Sequence, residues 1–174
     1  RRSSDLKEGA INDYKAVIEL EPSYVTAYVN LSSLYNESGN FEEAVKISQK
    51  GISIENSNYK LYNNLGDGLQ KLGSYKEAIS AYKNSLTKNS NNSDIFYNLG
   101  ICYKYAEDNE GAIEAFKSAI KIKPDYFDAY YEMGESFFLL KRYEEARVIF
   151  NNLLSKKSDY SKKDQIEKMI QAID

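Results

Sequence analysis

The residues that ordinarily carry catalysis are scarce in this chain. Its 174 residues include no histidine and one cysteine, Cys102. The commonest general base and a common metal ligand are therefore missing, and the usual zinc sites with them. Gly66-Asp67-Gly68 is a fragment of a glycine-rich phosphate loop, but it falls inside a helical stretch with no strand before it, so no phosphate loop is expected. Asn30-Leu31-Ser32, Asn36-Glu37-Ser38 and Asn91-Asn92-Ser93 match the glycosylation acceptor pattern, at a frequency that the Asn and Ser content explains by chance. The expectation is a protein without catalytic residues, metal or cofactor. The polar residues suit binding instead. Asn30, Asn64 and Asn98 stand 34 apart, and Glu132 continues the series. An amide side chain offers both a donor and an acceptor, which fits a peptide main chain whatever its sequence.

That spacing belongs to the whole chain. Alanine recurs in register at Ala10, Ala44, Ala78, Ala112 and Ala146. Ahead of it run Tyr28, Tyr62, Phe96 and Tyr130, then Leu31, Leu65, Leu99 and Met133. Within Ser93–Tyr126 the apolar residues fall three and four apart in two runs, Phe96, Leu99, Gly100, Tyr103 and then Ala112, Phe116, Ala119, and Pro124 closes the unit. Each run predicts an amphipathic helix, and proline supplies no amide donor and disfavours helix before it. The chain is an internal repeat of helical hairpins.

These columns resemble the tetratricopeptide repeat, whose pattern is W-x2-L-G-x2-Y…A-x3-F…P with a 34-residue period. Tyr or Phe fills the tryptophan column, Ser32 replaces one glycine, and the proline column reads Pro22, Asn56, Ser90, Pro124 and Ser158. The resemblance implies an all-α, right-handed superhelical solenoid of antiparallel helix pairs, each hairpin burying its apolar face against its neighbours. The organisation expected is a second helix of a truncated repeat over 1–24, full repeats at 25–58, 59–92, 93–126 and 127–160, and a C-terminal capping helix over 161–174. Ile166, Met169, Ile170 and Ile173 give that last helix its apolar face, with Ser161-x-x-Asp164 at its start. Ser74-x-x-Glu77 reads as a capping box and Asn40-x-x-Glu43 resembles one. Gly39 and Gly73 supply left-handed turns, and Asn109 is expected to do so in the repeat that reads Glu107-Asp108-Asn109.

Net charge is −3 with a pI near 5.2, so nothing invites nucleic acid or an anionic membrane. The basic pairs Lys156-Lys157 and Lys162-Lys163 are short, interleaved with acids, and read as solvated surface. The longest apolar run, Phe137–Leu140, is far too short to span a bilayer. Cys102 can form no intramolecular disulfide and reads as a small buried thiol.

In this family the first helices line the concave face, so the resemblance implies a groove built from their non-core positions. The asparagine column is similar to the ladder in the repeat domain of O-linked N-acetylglucosamine transferase, where such side chains hold a peptide main chain. Six hydrogen bonds from three asparagines, at ~0.5–1.5 kcal/mol each, give roughly 3–9 kcal/mol. Association costs on the order of 4–15 kcal/mol, so apolar anchors are needed as well. Groove positions are mostly polar in the first two full repeats. In the last two they turn aromatic and acidic: Tyr97, Ile101, Tyr105, Tyr131 and Phe138, with Asp94, Asp128, Glu132 and Glu135. The expected ligand is an extended peptide or partner segment. Asn30, Asn64 and Asn98 would hold its backbone, Tyr97, Ile101, Tyr105 and Tyr131 its apolar side chains, and Glu132 and Glu135 its basic residues. A helix-packing rise of ~9–10 Å per repeat matches three polyproline II residues at ~3.1 Å each, one asparagine per three ligand residues. The family's clamp for chaperone C-termini is not expected, because its places carry Val29, Ser33, Asn64, Asp94 and Asn98, of which only Asn64 fits. Two other expectations stand beside this one: a substrate-recruiting arm of a larger enzyme, and a self-association module joined through exposed repeat ends.

Overall fold

The computed structural model describes residues 2–173, with side chains from Leu6 onward. Ten helices and no strand occur among them. The chain divides into two compact units, Arg1–Ser90 and Asn91–Asp174.

The first unit holds α1 (Arg2–Leu20), α2 (Val25–Glu37), α3 (Phe41–Ile54), α4 (Tyr59–Lys71) and α5 (Tyr75–Lys88). The second holds α6 (Ser93–Tyr105), α7 (Asn109–Ile122), α8 (Phe127–Leu139), α9 (Tyr143–Lys156) and α10 (Lys163–Gln171). In each, antiparallel pairs stack so that consecutive helices touch, and α2 also touches α4 as α6 touches α8. The expected all-α class and helix pairing are therefore present.

The repeat columns explain the packing. Ala44, Ala78, Ala112 and Ala146 are all 0% exposed, since a methyl group is the largest side chain that lets paired helices close together. A second column pair is coupled more tightly. A Cβ on Gly66 would lie 2.6 Å from the Tyr82 ring, and on Gly100 or Gly134 it would lie 2.5 Å from the ring of Phe116 or Phe150. Each of these three glycines of a first helix thus seats an aromatic ring of the second. The repeat with Ser32 in the glycine column carries Ser48 in the ring column, so two small residues replace a glycine and a ring. Ser48 is fully buried and its hydroxyl has no partner. At the two places with proline, the tryptophan-column tyrosine donates to it: Tyr28 to the Pro22 carbonyl at 2.9 Å and Tyr130 to that of Pro124 at 3.3 Å. Cys102 is free and 0% exposed.

Three local expectations are corrected. The hairpin turns use one column throughout: Gly39 at φ 79°, Gly73 at 78°, Glu107 at 62° and Lys141 at 60°. The left-handed residue of the third full repeat is Glu107, not Asn109, which already opens α7. The hydrogen-bond pattern fixes the position of the reversal, and the side chain there must comply. Ser74 and Asn40 do precede their helices, yet neither side chain caps. Side-chain caps come from Asn58 to the Lys60 amide, from Asn92 to those of Asp94 and Ile95, and from Asp108 to that of Gly111. Finally, α10 begins after Lys162 without a side-chain cap, not at Ser161.

Candidate functional site

In the first unit, the asparagine column serves the protein's own packing. Asn64 on α4 is 8% exposed, and its amide nitrogen donates to the Val29 carbonyl at 2.9 Å and to Ser32 Oγ at 2.8 Å. Both amide hydrogens are spent on α2, which leaves the side-chain carbonyl oxygen. Asn36, on the last turn of α2, donates to the Asn64 backbone carbonyl at 2.9 Å. Asn30 is half-buried and donates to the Tyr14 hydroxyl at 3.1 Å. It also lines an open cleft of about 260 Å³ with Thr26, Val29, Ser57, Asn58, Tyr59 and Lys60. The expectation that each asparagine offers two free hydrogen bonds is corrected at Asn64, because burial forced its donors to find partners inside.

In the second unit, helix α6 places Tyr97, Ile101 and Tyr105 four residues apart, on one stripe. Exposure rises along it: Tyr97 and Ile101 are half-buried and Tyr105 is 64% exposed. Tyr97 stacks on Tyr126 at 4.9 Å and tilts against Phe116 at 5.7 Å. Asn98 lies half-buried on the same helix. Tyr131, expected as an exposed anchor, is buried at 5%. Its ring packs on Phe150 and Tyr160 and lies 3.9 Å from Lys162 Nζ. Phe138 meets Tyr143 of α9 edge-on at 5.4 Å, and Leu139 beside it is 57% exposed.

The acidic residues have partners as well. Glu132 and Glu135 both pair with Lys104 of α6, whose side chain is 16% exposed. Lys162 Nζ lies 3.6 Å from Glu132. Tyr131 hydroxyl is within hydrogen-bonding distance of Glu135 at 3.2 Å and Gln165 at 3.1 Å. Burial alone would lower the Lys104 ammonium, but its bonds to Glu132 and Glu135 overcome this and hold it above its ordinary value. The expectation that this acid pair awaits a basic ligand is thereby corrected: the chain supplies its own cation. Asp128 accepts a hydrogen bond from Tyr160 at 2.6 Å, and Asp94 one from Tyr126. Both aspartates remain exposed. Burial, then the neighbouring Glu132 and Asp128, raises the Tyr97 hydroxyl. Burial followed by carboxylate contacts also raises Tyr126, Tyr131 and Tyr160.

Lys104, Lys162, Tyr126, Tyr160 and Gln165 were not foreseen from the sequence. One signal was there. Tyr24, Asn58, Asn92, Tyr126 and Tyr160 share a column, where asparagine caps the following helix and tyrosine instead reaches a carboxylate in the second unit. Among the described residues, no group of acidic or cysteine side chains could hold a metal ion, and no helix is long and apolar enough to cross a membrane.

Known proteins place this geometry. Family models described as tetratricopeptide repeat match residues 25–58, 59–92 and 128–157, and one described as TPR repeat matches 103–141. A crystal structure of MamA is similar with a TM-score of 0.86 and 27% identity, covering 92% of this chain and 94% of that one. MamA 41-end from Desulfovibrio magneticus RS-1 is similar with a TM-score of 0.81 at 19% identity, over 89% and 88% of the two chains. YrrB, described as a TPR protein with an unusual peptide-binding site, is similar with a TM-score of 0.84 at 23% identity, over 96% and 86%. No curated protein matches.

Proposed function

Because the chain belongs to the tetratricopeptide repeat family, we propose that it is a protein-interaction module that binds an extended peptide or partner segment against its first helices. The observation that carries this reading is the α6 stripe. Tyr97, Ile101 and Tyr105 descend from half-buried to 64% exposed along one face, an apolar ramp with a supported base and an open end. Large exposed aromatics next to rigid ones are the usual make-up of a binding anchor. The stripe takes apolar side chains of the ligand, and Asn98, one residue from Tyr97, takes part in holding its main chain. Tyr131 supports from beneath rather than touching the ligand, since it is buried. Basic ligand residues meet the exposed carboxylates of Asp94 and Asp128, with Glu132 and Glu135 reached only in competition with Lys104. In the first unit the same role falls to Asn30 at its cleft, while both amide hydrogens of Asn64 are already spent on α2. That YrrB is described as peptide-binding supports the reading by analogy.

A peptide-array screen of the wild type and of Tyr105→Ser tests it. The wild type should select extended segments with apolar residues, and the variant should lose at least about tenfold in signal on the same peptides, as expected for an anchor. A wild type that selects nothing, or a variant with an unchanged profile, contradicts the proposal.

A further inference from the structure

Two groups in the second unit are built alike, one repeat apart. In the first, the Tyr97 ring stacks on Tyr126, whose hydroxyl donates to Asp94. In the second, the Tyr131 ring packs on Tyr160, whose hydroxyl donates to Asp128 at 2.6 Å. They differ in what stands over the ring. Lys162 brings its ammonium to 3.9 Å from the centre of the Tyr131 ring and to 3.6 Å from a Glu132 carboxylate oxygen. At that distance the ring face attracts the ammonium as the acid does. The second group thus holds a lysine head of the chain's own, and Tyr131 is 5% exposed beneath it. In the first group the charge at that place is reversed, because the counterpart of Lys162 in the preceding repeat is Asp128. Tyr97 is only half-buried, and Asp94 and Asp128 are both exposed. Lys123 lies over the Tyr126 ring at 4.8 Å. Among the described residues, no lysine or arginine pairs with Asp94 or Asp128, while Lys104 and Lys162 are committed to Glu132 and Glu135. Burial, then Glu132 and Asp128, holds the Tyr97 hydroxyl above its ordinary value, so negative charge faces this ring.

We propose that the first group is a lysine subsite: a lysine of the bound peptide lays its stem along the Tyr97 ring and brings its ammonium to Asp128 and Asp94. This rests on the reading of the α6 stripe as a peptide anchor and names the residue that the base of the stripe selects. The ligand class follows from the second group, where the chain itself sets a lysine head on the equivalent ring beside a carboxylate. A lysine also suits the stripe on which it lies, since its methylene stem is apolar and only its head needs charge. The ammonium has three N–H donors, and each aspartate, accepting from one tyrosine, keeps further acceptor capacity. A trimethylated lysine keeps the ring contact but donates to neither acid.

The probes are short acetylated and amidated peptides of serine and proline whose central residue is lysine, norleucine or trimethyl-lysine. A leucine stands about four residues to either side, the span of extended chain that matches the two helical turns from Tyr97 to Tyr105. Fluorescence anisotropy reads each peptide against the wild type, Asp94→Asn/Asp128→Asn and Asp128→Lys. The double amide variant keeps the shape of both side chains and still accepts from Tyr126 and Tyr160, so its helical circular dichroism should match that of the wild type. The wild type should bind the lysine peptide at least about tenfold more tightly than the norleucine peptide. In the double variant lysine binding should fall to the norleucine level. Asp128→Lys copies Lys162 onto the first group and should turn the preference against lysine. Equal binding of lysine and norleucine by the wild type, or a preference that survives in the double variant, overturns the lysine subsite and leaves the apolar stripe standing. Trimethyl-lysine bound as tightly as lysine overturns it too, since no N–H then reaches the acids. Binding of none of the peptides overturns the subsite and the stripe together.

Discussion

Asn36 and Lys104 share one column, Asn64 and Glu132 another, and the two pairs do related work. Asn36 reaches forward 28 residues to the backbone of Asn64, and Lys104 reaches forward by the same interval to Glu132. The column expected to hold ligand therefore also ties each first helix to the next within its unit. Its regular spacing was legible in the sequence. Its inward contacts were not, because an asparagine column looks the same whether the amides face solvent or a neighbouring carbonyl. The turn column carries the clearest residue-scale prediction. Lys141 holds φ at 60°, a conformation that costs a non-glycine residue ~1–2 kcal/mol, while glycine there loses ~0.5–1 kcal/mol of unfolded-state freedom. Lys141→Gly should thus raise stability by roughly 0.5–1 kcal/mol in urea unfolding; a loss of stability would mean that the side chain matters more than the turn.

At the scale of elements, periodicity located the helices well because burial itself is periodic. It placed the caps less well, since capping depends on where the chain turns rather than on which polar residue is nearby. Asn58, Asn92 and Asp108 cap because their side chains reach back over the first turn, and Ser74 has the right type without the bond. The coupling of glycine to ring is also written in the sequence, as Gly66 with Tyr82, Gly100 with Phe116 and Gly134 with Phe150, against Ser32 with Ser48. It became readable only once the two helices were face to face. Gly100→Val should push the Phe116 ring out of its seat and destabilise the second unit by about 1–3 kcal/mol, the usual cost of overpacking. The matching double variant with Phe116→Ala should cost less than the sum of the two single changes. Strict additivity would show that the two residues do not share one space.

Across the whole molecule the fold was legible because a 34-residue period in several columns fixes a helical hairpin and its neighbours together. The candidate site was legible only in its residue types. Aromatic and acidic residues were expected in the last two repeats and are found there, but Tyr131, Glu132 and Glu135 form an internal network with Lys104, Lys162 and Gln165. That network sets a pH dependence. Tyr97, Tyr126, Tyr131 and Tyr160 are all raised above the ordinary tyrosine value of 10.0. Above that pH the unfolded chain gives up these protons first, so the folded state binds more and stability falls as pH rises. Lys104, also raised, acts in the same direction. Urea midpoints should be level from neutral pH up to the ordinary tyrosine value and fall beyond it, and Tyr160→Phe should soften the fall. A midpoint that rises in that range would contradict the placement of these hydroxyls.

The most direct test of the interaction reading is calorimetric titration of one array-selected peptide into the wild type, Ile101→Ala/Tyr105→Ala and Asn64→Ala. The α6 stripe predicts that the double variant loses at least about tenfold in affinity at unchanged helicity. Asn64→Ala should keep its affinity within about twofold while losing ~1–3 kcal/mol of stability, since it removes two buried hydrogen bonds at ~0.5–1.5 kcal/mol each. Full affinity in the double variant, with binding lost in a still-folded Asn64→Ala, would contradict this account and return the binding role to the asparagine column.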